Sequence, residues 1–305
     1  HINSSALDRL LAVRAPGEFA EGWRRISDNF DLLYDAPENV RALKKVLMQL
    51  AVRGKLLPQN PNDEPASILL ERIIVEKKKL MKDGKIKENG LFPIENEDLP
   101  FELPSGWKWT CLYDIGKINP RNMTEDDTEV SFIPMTLISE TSIKPIGSEK
   151  RRWGEVKKAF THFAEDDVVL AKITPCFQNG KSAVMRGLIN NFGAGTTELH
   201  VFRPILNDSV YPEYVLLYLR SPQFLSEGVE KMTGTAGQKR VPKEYFAGNP
   251  FPLPPFEEQH RIVARVDQLM FLCDKLEAGL LRSQAYSERL MEAVVWGMLA
   301  GEYNA

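Results

Sequence analysis

The sequence predicts an α+β protein: a mainly β domain with inserted helices, flanked by an N-terminal helical segment and a long C-terminal coiled-coil helix. Three observations carry this. From Phe256 to Gly301, Ile262, Val266, Leu269, Cys273, Leu276, Leu280, Ser283, Ser287, Leu290, Val294 and Gly297 alternate four and three residues apart. That spacing keeps one edge of a helix against a partner helix. Between Trp107 and Pro255, short β-branched and aromatic runs recur among Pro, Gly, Asn and Asp. Before them the apolar residues follow a helical period, ending in a stretch broken by Pro93, Pro100, Pro104 and Gly106. The chain thus divides into helical segment and linker at 1–106, β domain at 107–255 and spacer helix at 256–305.

Leu7, Leu10 and Leu11 form a short apolar face, which Pro16 and Gly17 are expected to interrupt. Leu43, Val46, Leu47 and Leu50 share a helix face, with Lys44 and Lys45 outside and Gly54 placed as a C-terminal cap. Turn formers from Asn60 to Pro65 open a helix carrying Ile68, Leu69, Arg72, Ile73 and Val75. It then turns basic at Lys77, Lys78, Lys79, Lys82, Lys85 and Lys87, which reads as a solvated face.

Strands are expected at Val130 to Ile133, Val168 to Ile173, Ser182 to Met185 and Leu199 to Phe202, and helices at Tyr211 to Leu219 and Pro222 to Lys231. Pro254 and Pro255 end the β domain, and Glu257 and Glu258 set negative charge at the positive end of the helix that follows. Gly279 leaves two readings open: one rod of about 65 Å, or a helical hairpin turning near Gly279 to Ser283. Leu43 to Gly54 also echoes Leu290 to Gly301 in its spacing, which suggests a shared packing role.

Hydrophobic residues make up 43% and charged residues 27%, the balance of a soluble globular protein. No apolar run approaches the roughly 20 residues of a membrane span and no signal peptide opens the chain, so a cytoplasmic location is expected. A first residue of His1 rather than Met reads as a trimmed or tagged chain. Cys111, Cys176 and Cys273, like His162, His200 and His260, are too scattered for a disulfide framework or a metal site. There is no Gly-rich phosphate loop, methyltransferase-like nucleotide motif, His-based nucleophile set or carboxylate cluster, so no catalytic residues are assigned.

The net charge of −3 excludes a uniformly basic protein, but a polyanion needs only a local patch. One basic stretch holds Lys144, Lys150, Arg151, Arg152, Lys157 and Lys158; another holds Lys231, Lys239, Arg240 and Lys243. Arg151 and Arg152 beside Trp153 read either as phosphate ligands or as a solvated surface.

At Leu170-Ala171-Lys172-Ile173-Thr174-Pro175-Cys176-Phe177-Gln178-Asn179-Gly180-Lys181, Gly195-Thr196-Thr197-Glu198-Leu199 and Gly234-Thr235-Ala236-Gly237-Gln238-Lys239-Arg240-Val241-Pro242, the chain resembles the DNA-specificity subunit of Type I restriction–modification systems. Leu253-Pro254-Pro255-Phe256-Glu257-Glu258-Gln259 and Gly54-Lys55-Leu56-Leu57-Pro58 complete the match. The resemblance implies one target-recognition domain that reads half of a split duplex-DNA target, with long helices as the spacer. It implies docking to modification subunits and, through them, to restriction subunits. S-adenosylmethionine and ATP are then expected only on those partners. With one such domain, the chain reads as a half-subunit or an N-terminal fragment, and the seam at Ile262, Val266, Leu269, Cys273, Leu276 and Leu280 predicts antiparallel self-association.

DNA recognition needs cations for phosphates and polar groups for base edges. Thr235, Gln238, Lys239 and Arg240 form the first candidate surface, Lys172, Thr174, Gln178, Asn179 and Lys181 the second, and Thr196 and Thr197, beside Glu198, a third that contacts DNA or supports the loop. The competing reading is a coiled-coil interaction protein whose β domain binds another protein.

Overall fold

The computed structural model describes residues 7, 9, 10, 12, 16–28, 34, 36–84, 86, 99–235 and 237–302. Leu11, Lys85, Lys87, Pro93 and Ala236 lie outside them. Contacts group the chain into two compact units, 1–47 with 264–305, and 48–263. The compositional boundaries at 106/107 and 255/256 both fall inside the second unit.

Across both units, the helices among the described residues include α1 (Pro16–Asp28), α2 (Pro37–Val52), α3 (Ala66–Lys82), α4 (Leu112–Ile115), α5 (Trp153–Val156), α6 (Pro212–Leu219), α7 (Pro222–Lys231), α8 (Lys243–Gly248) and α9 (Phe256–Glu302). Pro16 opens α1, because a first-turn proline gives up no intrahelical hydrogen bond. Helix α9 runs through Gly279 without a break, so the rod is observed and the hairpin is not. Its 47 residues extend about 70 Å.

In the first unit, Val40, Leu43, Leu47, Tyr34, Leu269 and Cys273 are buried. Charges brace this core: Lys44 Nζ reaches Asp274 at 2.7 Å and Glu277 at 2.6 Å, and Arg41 Nε donates to Glu277 at 2.7 Å. Leu290, which the sequence echo aligns with buried Leu43, is 67% exposed, so the two segments do not pack alike.

Among its described residues, the second unit holds ten strands: β1 (Lys108–Thr110), β2 (Gly116–Ile118), β3 (Glu129–Ile133), β4 (Glu149–Arg152), β5 (Thr161–Ala164), β6 (Val168–Ala171), β7 (Ser182–Val184), β8 (Phe192–Gly195), β9 (Leu199–Pro204) and β10 (Phe251–Leu253). One sheet has the order β2-β9-β6-β7 with every pair antiparallel. The other has the order β4-β3-β8-β5, with β3 and β8 parallel. Strands β1 and β10 form a separate antiparallel pair.

Strand alternation builds the core. Ile133 and Phe163 from one sheet join Val169, Ala171, Ala183, Leu199 and Val201 from the other in a single buried cluster. Val130 and Phe132, on the opposite face of β3, pack instead with Trp153 and Val156 of α5. All four residues of β6 are buried, since α6 packs against that sheet as well.

The proline-rich entry to α9 is a buried anchor. Glu258 is 1% exposed and accepts hydrogen bonds from Gln59 Nε2 (2.7 Å) and Trp107 Nε1 (3.0 Å). Gln259 accepts from the Tyr211 N–H and donates to the Ser209 and Pro254 carbonyls. This motif is therefore spent on fixing the helix start. Lys77 likewise departs from the solvated-face reading: its Nζ donates to the Tyr113 carbonyl at 2.8 Å and lies 4.7 Å from that residue's ring centre.

Candidate nucleic-acid interface

The segment after β6 folds back on itself. The Ala171 N–H donates to the Lys181 carbonyl and the Lys181 N–H to the Cys176 carbonyl, closing a loop that turns at Gly180, whose φ is +72°. Phe177 is fully buried and plugs the loop onto α7, where Gly228 leaves room for its ring: a Cβ there would lie 2.3 Å from Phe177 Cζ. With that plug turned inward, Gln178 and Asn179 are exposed.

The segment from 233 to 241 is a narrow hairpin. Thr233 and Arg240 exchange backbone hydrogen bonds, and the Gln238 N–H donates to the Thr235 carbonyl. Gly234 has φ +124°, and a Cβ there would approach the Gln238 carbonyl oxygen to 2.9 Å, so only glycine fits the turn.

Backbone pairing then brings three separated motifs together. The Thr174 N–H donates to the Lys239 carbonyl, the Val241 N–H to the Lys172 carbonyl and the Lys172 N–H to the Glu198 carbonyl. Arg240 Nε and Nη2 donate to the two carboxylate oxygens of Glu198 at 2.9 and 2.8 Å. That fork holds the Glu198 carboxyl below the usual carboxylate range. Beneath the junction, His200 Nε2 lies 3.0 Å from the Val241 carbonyl and its ring stacks on Phe246. Burial lowers this imidazole to about 4, so it is neutral and donates that bond at neutral pH.

Residues 104–283 match the model of the Type I restriction modification DNA specificity domain. The chain belongs to this family. It is 50% identical to the Type I restriction enzyme EcoAI specificity subunit of Escherichia coli over 267 residues, 87% of this chain and 45% of that subunit. It is also 50% identical to the EcoEI specificity subunit of the same organism over 258 residues, 84% of this chain and 43% of that subunit. This specificity-domain chain therefore spans less than half the length of these two relatives. A crystal structure of the HsdS subunit from Thermoanaerobacter tengcongensis aligns at 20% identity and a TM-score of 0.45, covering 90% of this chain and 57% of that one.

Within the specificity domain, Gln178, Asn179, Thr197, Thr235, Gln238 and Lys239 are exposed along the joined loops, and Lys172, Lys181 and Thr196 are half-buried there. Among the described residues, Lys172, Lys181 and Lys239 have no ion-pair partner. Two candidates are engaged within the fold itself. Thr174 turns its hydroxyl inward, where the oxygen is buried without a partner, so it does not present that group to a ligand. Arg240 is engaged by Glu198, so its charge fastens the hairpin instead of standing free. Thr196 Oγ1 accepts from the Glu198 N–H and shapes the turn that presents the carboxylate.

Four of the six residues of the first basic stretch are paired. Lys150 pairs with Glu129 at 2.6 Å, Arg151 with Glu149 at 2.7 Å, Arg152 with Asp127 at 3.5 Å and Lys157 with Asp126 at 2.6 Å. Arg151 also stacks 4.0 Å from the Phe132 ring centre. Except for Glu149, which lies on β4 beside Arg151, these partners come from other segments of the chain, and composition alone could not reveal them.

Along α9, Ile262, Val266, Leu269 and Cys273 are buried, whereas Leu276 and Leu280 are half-buried. Cys273 lies near Lys44 and Tyr34, and burial raises its thiol to about 11. The first half of the seam is thus occupied by the chain itself. Beyond it Leu281, Leu290, Met291, Val294, Val295, Trp296 and Met298 are exposed.

Sequence reasoning missed His200, the fastening role of Arg240, and Arg220. The last donates from Nε and Nη2 to Ser182 and from Nη2 to the Ser139 and Ser142 carbonyls. A lone arginine at a helix end has no sequence signal for such a role.

Proposed function

We propose that this chain reads one half of a bipartite duplex-DNA target and holds modification subunits over it, itself catalysing nothing. The observation that supports this most directly is the backbone pairing of 172–174 with 239–241. It gathers Gln178, Asn179, Thr235, Gln238 and Lys239, from two distant motifs, on one surface. Amide and hydroxyl groups suit base edges, and unpaired lysines suit phosphates. The specificity-subunit names of the EcoAI and EcoEI relatives point the same way.

The exposed apolar length of α9 from Leu281 to Met298 is the surface for a second recognition half, supplied by another copy of this chain or by further chain, in antiparallel pairing. The assembled protein works in the cytoplasm beside the cell's DNA. Methyl donor and nucleotide bind the partner subunits.

Binding to a mixed-sequence duplex pool, followed by fluorescence anisotropy, tests the reading. Affinity should fall steeply between roughly 50 and 200 mM salt, as phosphate contacts release counterions. Absence of binding at low salt, even with the modification subunit added, overturns it in favour of a protein-binding β domain.

A further inference from the structure

Arg220 stands at the C-terminal end of α6 with an unusual set of partners. Its Nε donates to Ser182 Oγ (3.0 Å) and its Nη2 to the carbonyls of Ser182 (2.6 Å), Ser139 (3.0 Å) and Ser142 (2.8 Å), with Nη1 3.4 Å from the Thr141 carbonyl. All are neutral; the carboxylate of Glu140, on the neighbouring segment, acts on the guanidinium without forming an ion pair with it. Burial lowers the guanidinium to about 10, still charged at neutral pH.

This fork fastens an arch. The Val184 N–H donates to the Ile143 carbonyl and the Ile146 N–H to the Leu137 carbonyl, so residues 139–146 run along the free edge of β7. The arch adjoins the loop carrying Gln178 and Asn179, because Ser182 follows that loop directly and a Cβ at Gly180 would lie 3.9 Å from Arg220 Cγ. Its outward side chains are Glu140, Thr141, Ile143, Lys144 and Ile146, the last 70% exposed. Among the described residues Lys144 has no ion-pair partner.

The guanidinium is spent on neutral groups of the backbone and of Ser182, and Glu140 of the arch acts on its charge, so its part is to fix the arch rather than to offer charge to a ligand. An exposed isoleucine next to a free lysine, on a fastened backbone, has the chemistry for a thymine methyl and a phosphate. We infer that residues 139–146 are a further recognition segment, with Lys144 on a phosphate and Ile146 against a thymine methyl, and that Arg220 is the positioning residue that aligns this segment with 172–181. The inference rests on the DNA-reading function proposed above.

Amide hydrogen exchange of the whole chain, with and without short mixed-sequence duplexes at low salt and with modification subunit present, tests both together. Protection of 139–146 along with 172–181 and 233–241 is expected. Protection of the latter two alone overturns this inference and leaves the DNA reading standing. Protection of none overturns the DNA reading and the inference with it.

Variants at exposed positions test the roles without threatening the fold. K144A should weaken binding across all sequences in the pool. I146A should relax preference at one A·T pair by about tenfold. Selected motifs identical to wild type for I146A overturn the assigned contact. R220K keeps the charge but loses the fork, so faster exchange at 139–146 in the free chain, with I146A-like loss of base preference, is expected. Wild-type exchange and preference in R220K refute the positioning role.

Discussion

The Phe177 plug makes a prediction that can be worked from distances. Phe177 is fully buried, so F177A should destabilise the second unit by about 3–5 kcal/mol through lost transfer energy and a cavity. Gly228 lies in helix α7, where replacing glycine with alanine favours the helix by about 1 kcal/mol. Yet the new Cβ would fall 2.3 Å from Phe177 Cζ and 2.9 Å from Tyr245 Cε1, and overpacking of that kind costs about 1–3 kcal/mol. G228A alone should therefore be neutral to destabilising by about 2 kcal/mol. In the F177A background the Phe177 contact is gone and only the 2.9 Å approach to Tyr245 Cε1 remains, so the same substitution should lie between neutral and stabilising by about 1 kcal/mol. Urea denaturation of the four proteins measures this cycle, with a coupling of about 1–3 kcal/mol expected. DNA binding under native conditions should weaken in F177A, since Gln178 and Asn179 lose their mounting. A G228A effect that is equal in both backgrounds would refute the packing argument, and unchanged DNA affinity in F177A would separate the plug from recognition.

Other substitutions divide the work of the surface. K239A should weaken DNA binding uniformly and lower the salt slope by about one, while Q238A should shift base preference; binding-site selection and salt titration distinguish them. E198A and R240A remove the same fork, so combining them should add little to either alone in binding assays. L269D should unfold the first unit because it buries a charge within the chain, whereas V294D should leave thermal unfolding unchanged and abolish self-association in sedimentation. Because burial depresses His200 below its unfolded value of about 6.5, the stability it contributes is complete above pH 6.5 and lost as pH falls toward 4. The loss is on the order of 3 kcal/mol at pH 4, and H200Q should flatten it in pH-dependent melts.

What the sequence revealed follows the physics of each element. Val168 to Ala171 was legible because both faces of β6 are buried and the run is uniformly apolar. Strand β4, Glu-Lys-Arg-Arg, was not, since its place in the sheet comes from pairing with β3 while its side chains face outward into ion pairs. Strand β8 was hidden for a different reason. Gly193 and Gly195 carry no strand signal, but Phe163 crosses Gly193 so closely that a Cβ there would lie 2.3 Å from its ring. The candidate loops were found through motifs, yet which of their polar groups stand free depends on long-range partners. Glu198 claims Arg240 from 42 residues away, and Asp126 claims Lys157 across 31.

The pairing of 172–174 with 239–241 is made by peptide groups, and peptide groups are the same whatever side chain they carry. Exposed positions such as Gln178, Asn179, Thr235 and Gln238 can therefore be exchanged without disturbing the joint that presents them. On the function proposed above, a chain built this way can acquire a new preference through a few surface substitutions at little cost in stability.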